Sequence, residues 1–402
     1  MDRELLLKLK NGGTSFHEVG KSLDSNQAIE LRRALVSELT GINFKHIHNF
    51  SFDVESVTKR NIENMIGAIQ VPLGVAGPLR VNGEYANGDY YIPLATTEGA
   101  LVASADRGSS VITACGGANV RIFQDEMTRA PVFRAQDIIS AKKLVDWVNA
   151  NFKRLKEKAE ETTKFGELLS VKAFVAGRNV YLRFSYDTKD AMGMNMVTIA
   201  TDAAVDLVLQ ANDVELIALS GNMCTDKKPA AINVIEGRGK TVSADVVLGK
   251  EVITAKLKTT PERMAEVNYR KNLIGSARAG SLGFNAHAAN IAAALFIACG
   301  QDAAHVVEAS NAMTTMEITE EGLYCSVTLP SLPVGTVGGG TRIGTQQECL
   351  NMLGVAGAGE PPGANAKKFA EIAAAAVLAG EISLIAALAS RHLAKAHAEL
   401  GR

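Results

Sequence analysis

The chain has 402 residues, of which 47% are apolar and 21% charged, and its formal net charge is −1. This composition predicts a folded protein with a sizeable core and two or three domains. The balanced charge argues against non-specific nucleic-acid binding and against adsorption to an anionic membrane. The five cysteines form no C-x-x-C pair, which indicates free thiols in a reducing compartment and no disulfide scaffold or zinc site.

Residues 1–62 form the first predicted region, and its first 50 residues are expected to be helical. The segments "SFHEVGKSL" and "SNQAIELRRALVSELTG" carry apolar residues at three- and four-residue spacing. The N-terminus "MDRELLLKLK" lacks the apolar stretch and cleavage site of a signal peptide, so we expect a cytoplasmic protein. Residues 66–101 are punctuated by Gly and Pro, which predicts short strands leading into a helix near Thr97.

Residues 131–220 show the element order β-α-β-β-α-β. "PVFRA" is a strand, a long helix follows from Asp137, a hairpin turns near Gly177, a second helix begins at Ala191, and "VELIALSG" closes the unit. This order is typical of the ferredoxin-like unit. We therefore predict an α/β (α+β) protein, in which an inserted ferredoxin-like domain at 131–220 interrupts a large Ala-rich helical and sheet domain formed by 63–130 and 221–402.

The C-terminal third is dominated by Ala-rich helical patterns at 285–299, 364–380 and 381–399. Between the first two lies a β-prone stretch at 323–344. The apolar run at 369–390 is interrupted by Glu371, Gly380 and Glu381, which predicts two buried helical runs instead of a membrane span.

Nucleotide-binding motifs are incomplete. "EGRGKT" ends like a P-loop but has Val234 where that motif needs Gly, and "TVGGGTRIG" lacks the G-x-G-x-x-G spacing. The hairpin strand "NVYLRFSY" lacks the aromatic and Gly spacing of an RNA-recognition fold. A Rossmann domain, a P-loop NTPase and an RNA-binding module are all disfavoured.

Several ionisable residues stand in small, apolar surroundings. "SGNMCTDKKPAA" contains Asp226, Lys227 and Lys228, "ATTEGALVAS" contains Glu98, and "FIACGQDAAHVVEAS" contains Asp302. Charged groups are costly to bury unpaired, so these residues could neutralise one another in one site. A surface loop with helix-capping acids is the alternative, and the residues alone favour neither.

The histidines do not form a metal-binding pattern. His392 and His397 are five residues apart, which does not stack them on one helix face, and His46 and His48 have no third ligand nearby. We expect no metal site. His305, like His287, is expected to be a satisfied core or interface residue.

Six motifs together resemble the 3-hydroxy-3-methylglutaryl-coenzyme A (HMG-CoA) reductase family. They are "ENMIGAIQVPLGVAGPL" at 63–79, "LATTEGALVAS" at 94–104, "DAMGMNM" at 190–196, "SGNMCTDKKPAAINVIEGRGK" at 220–240, "GQDAA" at 300–304 and "GTVGGGT" at 335–341. The resemblance runs from about residue 63 to 400. The "DKK" and "GTVGGGT" forms resemble the class I branch, which usually uses NADPH.

The resemblance implies a reaction and an assembly. Members reduce HMG-CoA to mevalonate and CoA with two molecules of NADPH, in the mevalonate pathway of isoprenoid biosynthesis. They form homodimers, or dimers of dimers, with active sites shared between subunits. An NADH-linked degradative reductase and a non-catalytic CoA-thioester binding protein remain as alternatives.

The resemblance also implies catalytic roles. Lys227 resembles the lysine that stabilises the oxyanion, and Glu98 the acid that protonates the carbonyl oxygen. Asp302 resembles the carboxylate that links these two residues and tunes their proton affinity. His397, predicted to lie on a mobile C-terminal tail, resembles the residue that protonates the departing thiolate.

Binding roles are carried over by the same motif matches. Arg129, Ser220, Asp226 and Lys228 match positions that hold the HMG group, and Ser104, Arg107, Lys271 and Asn290 match further substrate positions, most of them near coenzyme A. Asp106 replaces the Asn that the family places beside coenzyme A.

The expected cofactor-binding residues are Thr163, Lys164, Asp190, Met192, Gly193, Met194, Asn195, Gly237, Arg238, Gly338 and Gly339. Thr163 and Lys164 stand where class I members place a Ser-Arg pair against the 2′-phosphate. Lys164 keeps the charge of that pair but not the bidentate fork.

Overall fold

The computed structural model describes the backbone of residues 3–400 and the side chains of residues 3–390. The first helices are α1 (Arg3–Lys10), α2 (Phe16–Ser22), α3 (Ser25–Thr40) and α4 (Val54–Arg60). Side chains of Ser15, Asp24 and Asp53 accept hydrogen bonds from the first turns of α2, α3 and α4. These helices agree with the spacing of apolar residues in this region.

A hairpin and a helix open the large domain. Its elements are β1 (Leu73–Asn82), β2 (Asn87–Ala95), α5 (Leu101–Ala114) and β3 (Ala118–Arg129). The helix predicted near Thr97 begins four residues later, because Ala100 adopts a left-handed conformation with φ of 68° immediately before it.

The ferredoxin-like unit follows. It consists of β4 (Val132–Arg134), α6 (Ile138–Ala150), α7 (Phe152–Glu160), β5 (Glu167–Ala176), β6 (Asn179–Asp187), α8 (Met194–Ala211) and β7 (Glu215–Ala218). Its strands are ordered β7-β4-β6-β5 with antiparallel neighbours, as expected for this fold. The single long helix predicted from Asp137 is wrong. Asn151 separates α6 from α7, and its side-chain Nδ2 donates to the Trp147 carbonyl at 2.8 Å.

The chain then returns to the large domain. The remaining elements are α9 (Ala231–Glu236), β8 (Gly239–Gly249), α10 (Lys250–Val252), α11 (Pro261–Val267), α12 (Ser276–Ala279), α13 (Ala288–Ala298), α14 (Val306–Ala309), β9 (Met313–Ile318), β10 (Gly322–Leu332), α15 (Gly344–Met352) and α16 (Ala364–Leu400). Wide π-helical turns span Ile253–Leu257 and Asn268–Gly275, and short 3₁₀ turns at Ala303–His305 and Gly339–Arg342 precede α14 and α15.

One strand joins the two sheets. Most of β3 pairs with β8 in the large domain, where the order continues β8-β10-β9, and β3 also pairs with β1. The last residues of β3, Met127–Arg129, pair instead with β6 of the ferredoxin-like unit. Arg129 therefore stands at the junction of the two sheets.

Helix α16 is the core of the large domain. The prediction of two helical runs at 364–380 and 381–399 is wrong, because one helix continues through Gly380. A Cβ at Gly380 would lie 2.6 Å from Cγ1 of Ile291 on α13, so close packing explains a glycine that would otherwise weaken the helix. Residues Ala364–Ser390 are long and apolar enough to cross a membrane, but 83% of their most apolar window is buried inside the protein.

Candidate active site

The turn that carries Lys227 has an uncommon backbone conformation. Asn222, Thr225 and Lys227 have positive φ angles of 63°, 45° and 58°. Such angles are strained for residues other than glycine and persist where surrounding contacts impose them. Here the Gly221 N–H donates to the Ala130 carbonyl at 2.7 Å, and the Thr225 N–H donates to the Asn222 carbonyl at 3.1 Å.

Lys227 and Asp302 form an ion pair, with Nζ 2.7 Å from Oδ2. The hydrogen bond with Asp302 raises the pKa of Lys227 above its ordinary value, against the opposing effect of burial. Burial raises the pKa of Asp302, but the hydrogen bonds from Lys227 and from the Ala304 N–H outweigh it, so that pKa lies below its ordinary value. Both groups are therefore charged near neutral pH.

The expected water-poor pocket is not formed by one chain. The Lys227 side chain is 43% exposed and that of Asp302 is 32% exposed. Glu98 is also exposed and joins neither residue within the chain. Its N–H donates to Thr96 Oγ1, and its Oε1 accepts from Asn290 Nδ2 at 3.3 Å. The structure thus brings together two of the three residues expected to meet.

A cleft of about 840 Å³ lies between the ferredoxin-like unit and the large domain. Of the residues predicted to act in the site, those lining it are Arg129, Met192, Gly193, Met194, Asn195, Asp226, Lys227, Asp302, Gly338 and Gly339. Residues from five separated stretches of sequence therefore share one cavity. Further lining residues that the motifs did not single out include Arg60, Asn61, Gln301 and Gln346.

Helix α8 points its N-terminus into this cleft. It begins at Met194 instead of Ala191, after Gly193 with φ of 97°, and no side chain caps it. A Cβ on Gly193 would lie 2.4 Å from Cγ2 of Thr188. Uncapped N–H groups at the start of an 18-residue helix are suited to an anionic group. Across the cleft, a Cβ on Gly338 or Gly339 would meet no atom within 4 Å, which leaves room beside the backbone.

A buried ionic cluster lies beneath Lys227. Arg238 Nη1 donates to Glu308 Oε1 at 2.6 Å and Nη2 donates to Asp226 Oδ1 at 2.9 Å, while His305 Nε2 lies 3.0 Å from the same Asp226 oxygen. Burial raises the pKa of Asp226, but His305 and Arg238 outweigh it and lower that pKa to about 2. Burial raises the pKa of Glu308, and Arg238 opposes that shift.

Asp226, His305 and Glu308 lie close enough together to share a metal ion. However, the Arg238 guanidinium donates to both carboxylates and already supplies the positive charge between them. The sequence indicated His305 as a satisfied core or interface residue. It is buried and its Nε2 contacts Asp226, but its buried Nδ1 has no hydrogen-bond partner among the described residues. Glu308 was missed, although a lone acid in the apolar "HVVEAS" is the same signal that identified Asp302.

The residues expected near coenzyme A do not line the cleft. On α5, Ser104 Oγ lies 2.9 Å from Ser383 Oγ, and Arg107 donates to the side chain and carbonyl of Ser383, both at 3.0 Å. Lys271 is exposed, with Nζ 3.4 Å from Oδ1 of the adjacent Asn272.

On α5, the Asp106 carboxylate accepts a hydrogen bond from the Gly77 N–H at 3.0 Å. Within the turn that carries Lys227, Ser220 Oγ lies 3.5 Å from Cys224 Sγ, and Lys228 Nζ donates to the Asp226 carbonyl at 2.9 Å.

Three further residues expected at the cofactor stand beside the cleft. Thr163 Oγ1 lies 3.1 Å from Sδ of Met196 in the first turn of α8, and the neighbouring Lys164 is exposed. The Gly237 carbonyl accepts a hydrogen bond from buried Arg183 at 2.8 Å.

Asp190 is buried, and its carboxylate accepts three backbone N–H groups, from Gly359, Gly363 and Ala366, near the start of α16. His397 lies outside the residues whose side chains are described.

Comparison with known proteins identifies the family. The family model described as hydroxymethylglutaryl-coenzyme A reductase matches residues 28–402. Reductases of this name from Pyrococcus abyssi and Haloferax volcanii are 54% and 56% identical, over 99% and 98% of both chains. Reductase 1 of Dictyostelium discoideum is 45% identical over 100% of this chain and 73% of its own length.

A solved structure described as a class II reductase from Streptococcus pneumoniae bound to NADPH has the same fold. Its TM-score is 0.67 at 19% identity, and the match covers 93% of this chain and 100% of that one. The fold and the relatives together define an oxidoreductase. The chain belongs to the hydroxymethylglutaryl-coenzyme A reductase family.

Proposed function

We propose that this chain reduces (S)-HMG-CoA to mevalonate and CoA with two molecules of NADPH, as a cytoplasmic enzyme of isoprenoid biosynthesis. The observation that carries the proposal is the Lys227–Asp302 ion pair, which lies in the same cleft as the uncapped N-terminus of α8. One wall of the cleft thus offers a fixed ammonium, and the other offers N–H groups suited to a phosphate.

The residues of the cleft fit NADPH. The first turn of α8 would hold the pyrophosphate, Gly338 and Gly339 would let the dinucleotide approach the backbone, and Lys164 would face the 2′-phosphate. When bound there, the cofactor supplies the hydride. The choice of NADPH over NADH is supported by the positive charge of Lys164, whose neighbour Thr163 contacts Met196 in the first turn of α8.

Lys227 would stabilise the negative charge that develops on the substrate oxygen. A preorganised ammonium in a site closed to water contributes several kcal/mol there, on the order of what one oxyanion-hole donor provides. Asp302 holds the ammonium by its 2.7 Å contact and keeps it protonated. Arg129 and Asp226, on the same cleft, would orient the HMG group.

The exposed position of Glu98 supports an active site assembled from two subunits. Within one chain Glu98 forms no ion pair with Lys227. The Glu98 side chain is exposed to solvent, and those of Lys227 and Asp302 are partly exposed. In a homodimer, Glu98 and the adjoining Ser104 and Arg107 of one subunit would close the cleft of the other, and the pocket would then exclude water. Glu98 would supply the proton to the carbonyl oxygen, and His397 would protonate the thiolate.

The class I-like assignment rests on the "DKK" and "GTVGGGT" forms. The class II structure shares the fold at 19% identity, which does not decide between the branches.

The function is tested by following NADPH oxidation and CoA thiol release with HMG-CoA as substrate. We expect two molecules of NADPH to be consumed for each CoA released, and mevaldehyde to be reduced as well. If the protein binds HMG-CoA but oxidises neither NADPH nor NADH, the proposal is wrong and the chain is a non-catalytic CoA-thioester binding protein. Faster turnover with NADH would favour the degradative alternative.

A further inference from the structure

Residues 302–308 contact the Asp226–Lys227 turn at three points. Asp302 Oδ2 lies 2.7 Å from the Lys227 ammonium, and Glu308 Oε1 accepts the Lys227 backbone N–H at 3.1 Å. His305 Nε2 lies 3.0 Å from Asp226 Oδ1. One short segment therefore contacts the backbone of Lys227, the end of its side chain and the residue before it.

Arg238 connects this arrangement to the other side of the cleft. It is fully buried, and it donates to Glu308 and to Asp226. Its Nη2 also lies 2.7 Å from Sδ of Met194, the first residue of α8. The same guanidinium thus contacts the turn that carries the ammonium and the helix terminus proposed for the cofactor.

The strained backbone of Lys227 explains why such contacts are needed. A non-glycine residue with φ of 58° keeps that conformation only while its surroundings impose it. The Lys227 N–H points to a buried carboxylate, and that carboxylate is fixed by Arg238. Loss of either partner removes what holds the Lys227 backbone, while the Lys227–Asp302 pair itself remains chemically intact.

We propose that His305, Glu308 and Arg238 are positioning residues, which form a buried clamp that holds the Lys227 ammonium at the reacting carbonyl. The proposal rests on the proposed function of this site. It gives Arg238 a role beneath the cleft in place of direct cofactor contact. None of the three side chains lines the cleft, so they act through Asp226 and Lys227 and not on the substrate.

A matched pair of substitutions tests the clamp at His305. Glutamine keeps a side-chain N–H donor for Asp226, and leucine has a comparable size without a donor. We expect His305→Leu to lower kcat about 10-fold or more with both HMG-CoA and mevaldehyde, because small misplacements of a catalytic group cost up to about 100-fold. The KM for NADPH should stay unchanged, and His305→Gln should restore most of kcat.

Glu308→Gln is the second test, and Glu371→Gln is its control. Glu371 is equally buried and accepts N–H groups of Glu84, Tyr85 and Ala86, and none of these residues lines the cleft. We expect both variants to lower the melting temperature, but only Glu308→Gln to lower kcat per folded molecule.

Three results would overturn the clamp. The first is a wild-type kcat in both folded His305→Leu and folded Glu308→Gln. The second is an equal loss of kcat in His305→Gln and His305→Leu. The third is an equal loss of kcat per folded molecule in Glu371→Gln and Glu308→Gln. Should one clamp variant not fold, the other decides by the same criterion. Wild-type protein is assayed in parallel, since an inactive wild type would defeat the proposed function and not the clamp.

Discussion

At the scale of single residues, the site depends on a lysine in a strained conformation. The left-handed backbone of Lys227 costs about 1–3 kcal/mol, which the surrounding hydrogen bonds must offset. The sequence shows Lys227 between other charged residues in a stretch of small and apolar residues. The sign of φ could not be predicted, because the Lys227 N–H donates to Glu308, 81 residues further along the chain.

Removing the Asp302 carboxylate should change the pH dependence of the reaction. The ammonium form of Lys227 is the active one, so activity falls as pH rises through its pKa. Because Asp302 raises that pKa, Asp302→Asn should lower it and move the alkaline limb of kcat/KM for mevaldehyde to lower pH. Glu236→Gln, which removes a carboxylate paired with Lys172 outside the cleft, is the control. An alkaline limb at the wild-type position would show that Asp302 does not set the proton affinity of Lys227.

Lys164 should decide between the two nicotinamide cofactors. Lys164→Glu places a negative charge against the 2′-phosphate, so we expect the KM for NADPH to rise about tenfold and the KM for NADH to change little. Steady-state kinetics with both cofactors measure this. Lys153→Glu, on the exposed side of α7, is the matched charge reversal. An equal change in the KM for NADPH and for NADH would show that Lys164 does not contact the 2′-phosphate.

At the scale of elements, local pattern predicted the ferredoxin-like unit but not every boundary. The order of its strands and helices could be predicted because each element has its own local pattern of apolar residues, and a single sequence shows that pattern. The break at Asn151 was missed because apolar spacing continues across it from α6 into α7. The continuity of α16 through Gly380 was missed because packing against Ile291 overrides the low helix propensity of glycine.

The crossing of α5 and α16 should not tolerate a larger residue at Gly108. A Cβ there would lie 1.9 Å from the Ala379 carbonyl oxygen, and a backbone atom inside a buried helix cannot move away cheaply. Gly108→Ala should therefore destabilise the protein by about 1–3 kcal/mol or more, measured as a lower melting temperature. Gly249→Ala is the control, since its φ is −64° and no atom lies within 4 Å. Equal melting temperatures for the two variants would contradict the close packing.

At the scale of the whole molecule, the sequence predicted that Lys227, Asp302 and Glu98 would meet, and one chain brings together only the first two. Lys227 and Asp302 were recognised because charged side chains are rare among small residues, and the structure pairs them. Glu98 was recognised by the same signal, but within its own chain it contacts Thr96 and Asn290 and pairs with neither Lys227 nor Asp302. No pattern within one sequence states which contacts form between subunits.

Mixing two inactive variants tests whether the site is shared. If Glu98 and Lys227 of one site come from different subunits, a heterodimer of Glu98→Gln and Lys227→Ala contains one intact site. When the subunits of the two variants pair at random, about half of the dimers are heterodimers, and each has one intact site of two. The mixture should then show about one quarter of wild-type activity. Co-expression with two affinity tags and tandem purification would isolate the heterodimer. An inactive heterodimer would place both residues of each site in one subunit.

The central claim is that the Lys227 ammonium stabilises the charge formed in both reduction steps. Single-turnover oxidation of NADPH by Lys227→Ala, with HMG-CoA and separately with mevaldehyde, tests it most directly. Lys172→Ala, which removes an exposed lysine paired with Glu236, is the control. We predict that both reactions of Lys227→Ala slow by about 100-fold to 1,000-fold or more, while the control keeps wild-type rates. Reduction of mevaldehyde by Lys227→Ala at the wild-type rate would contradict the claim.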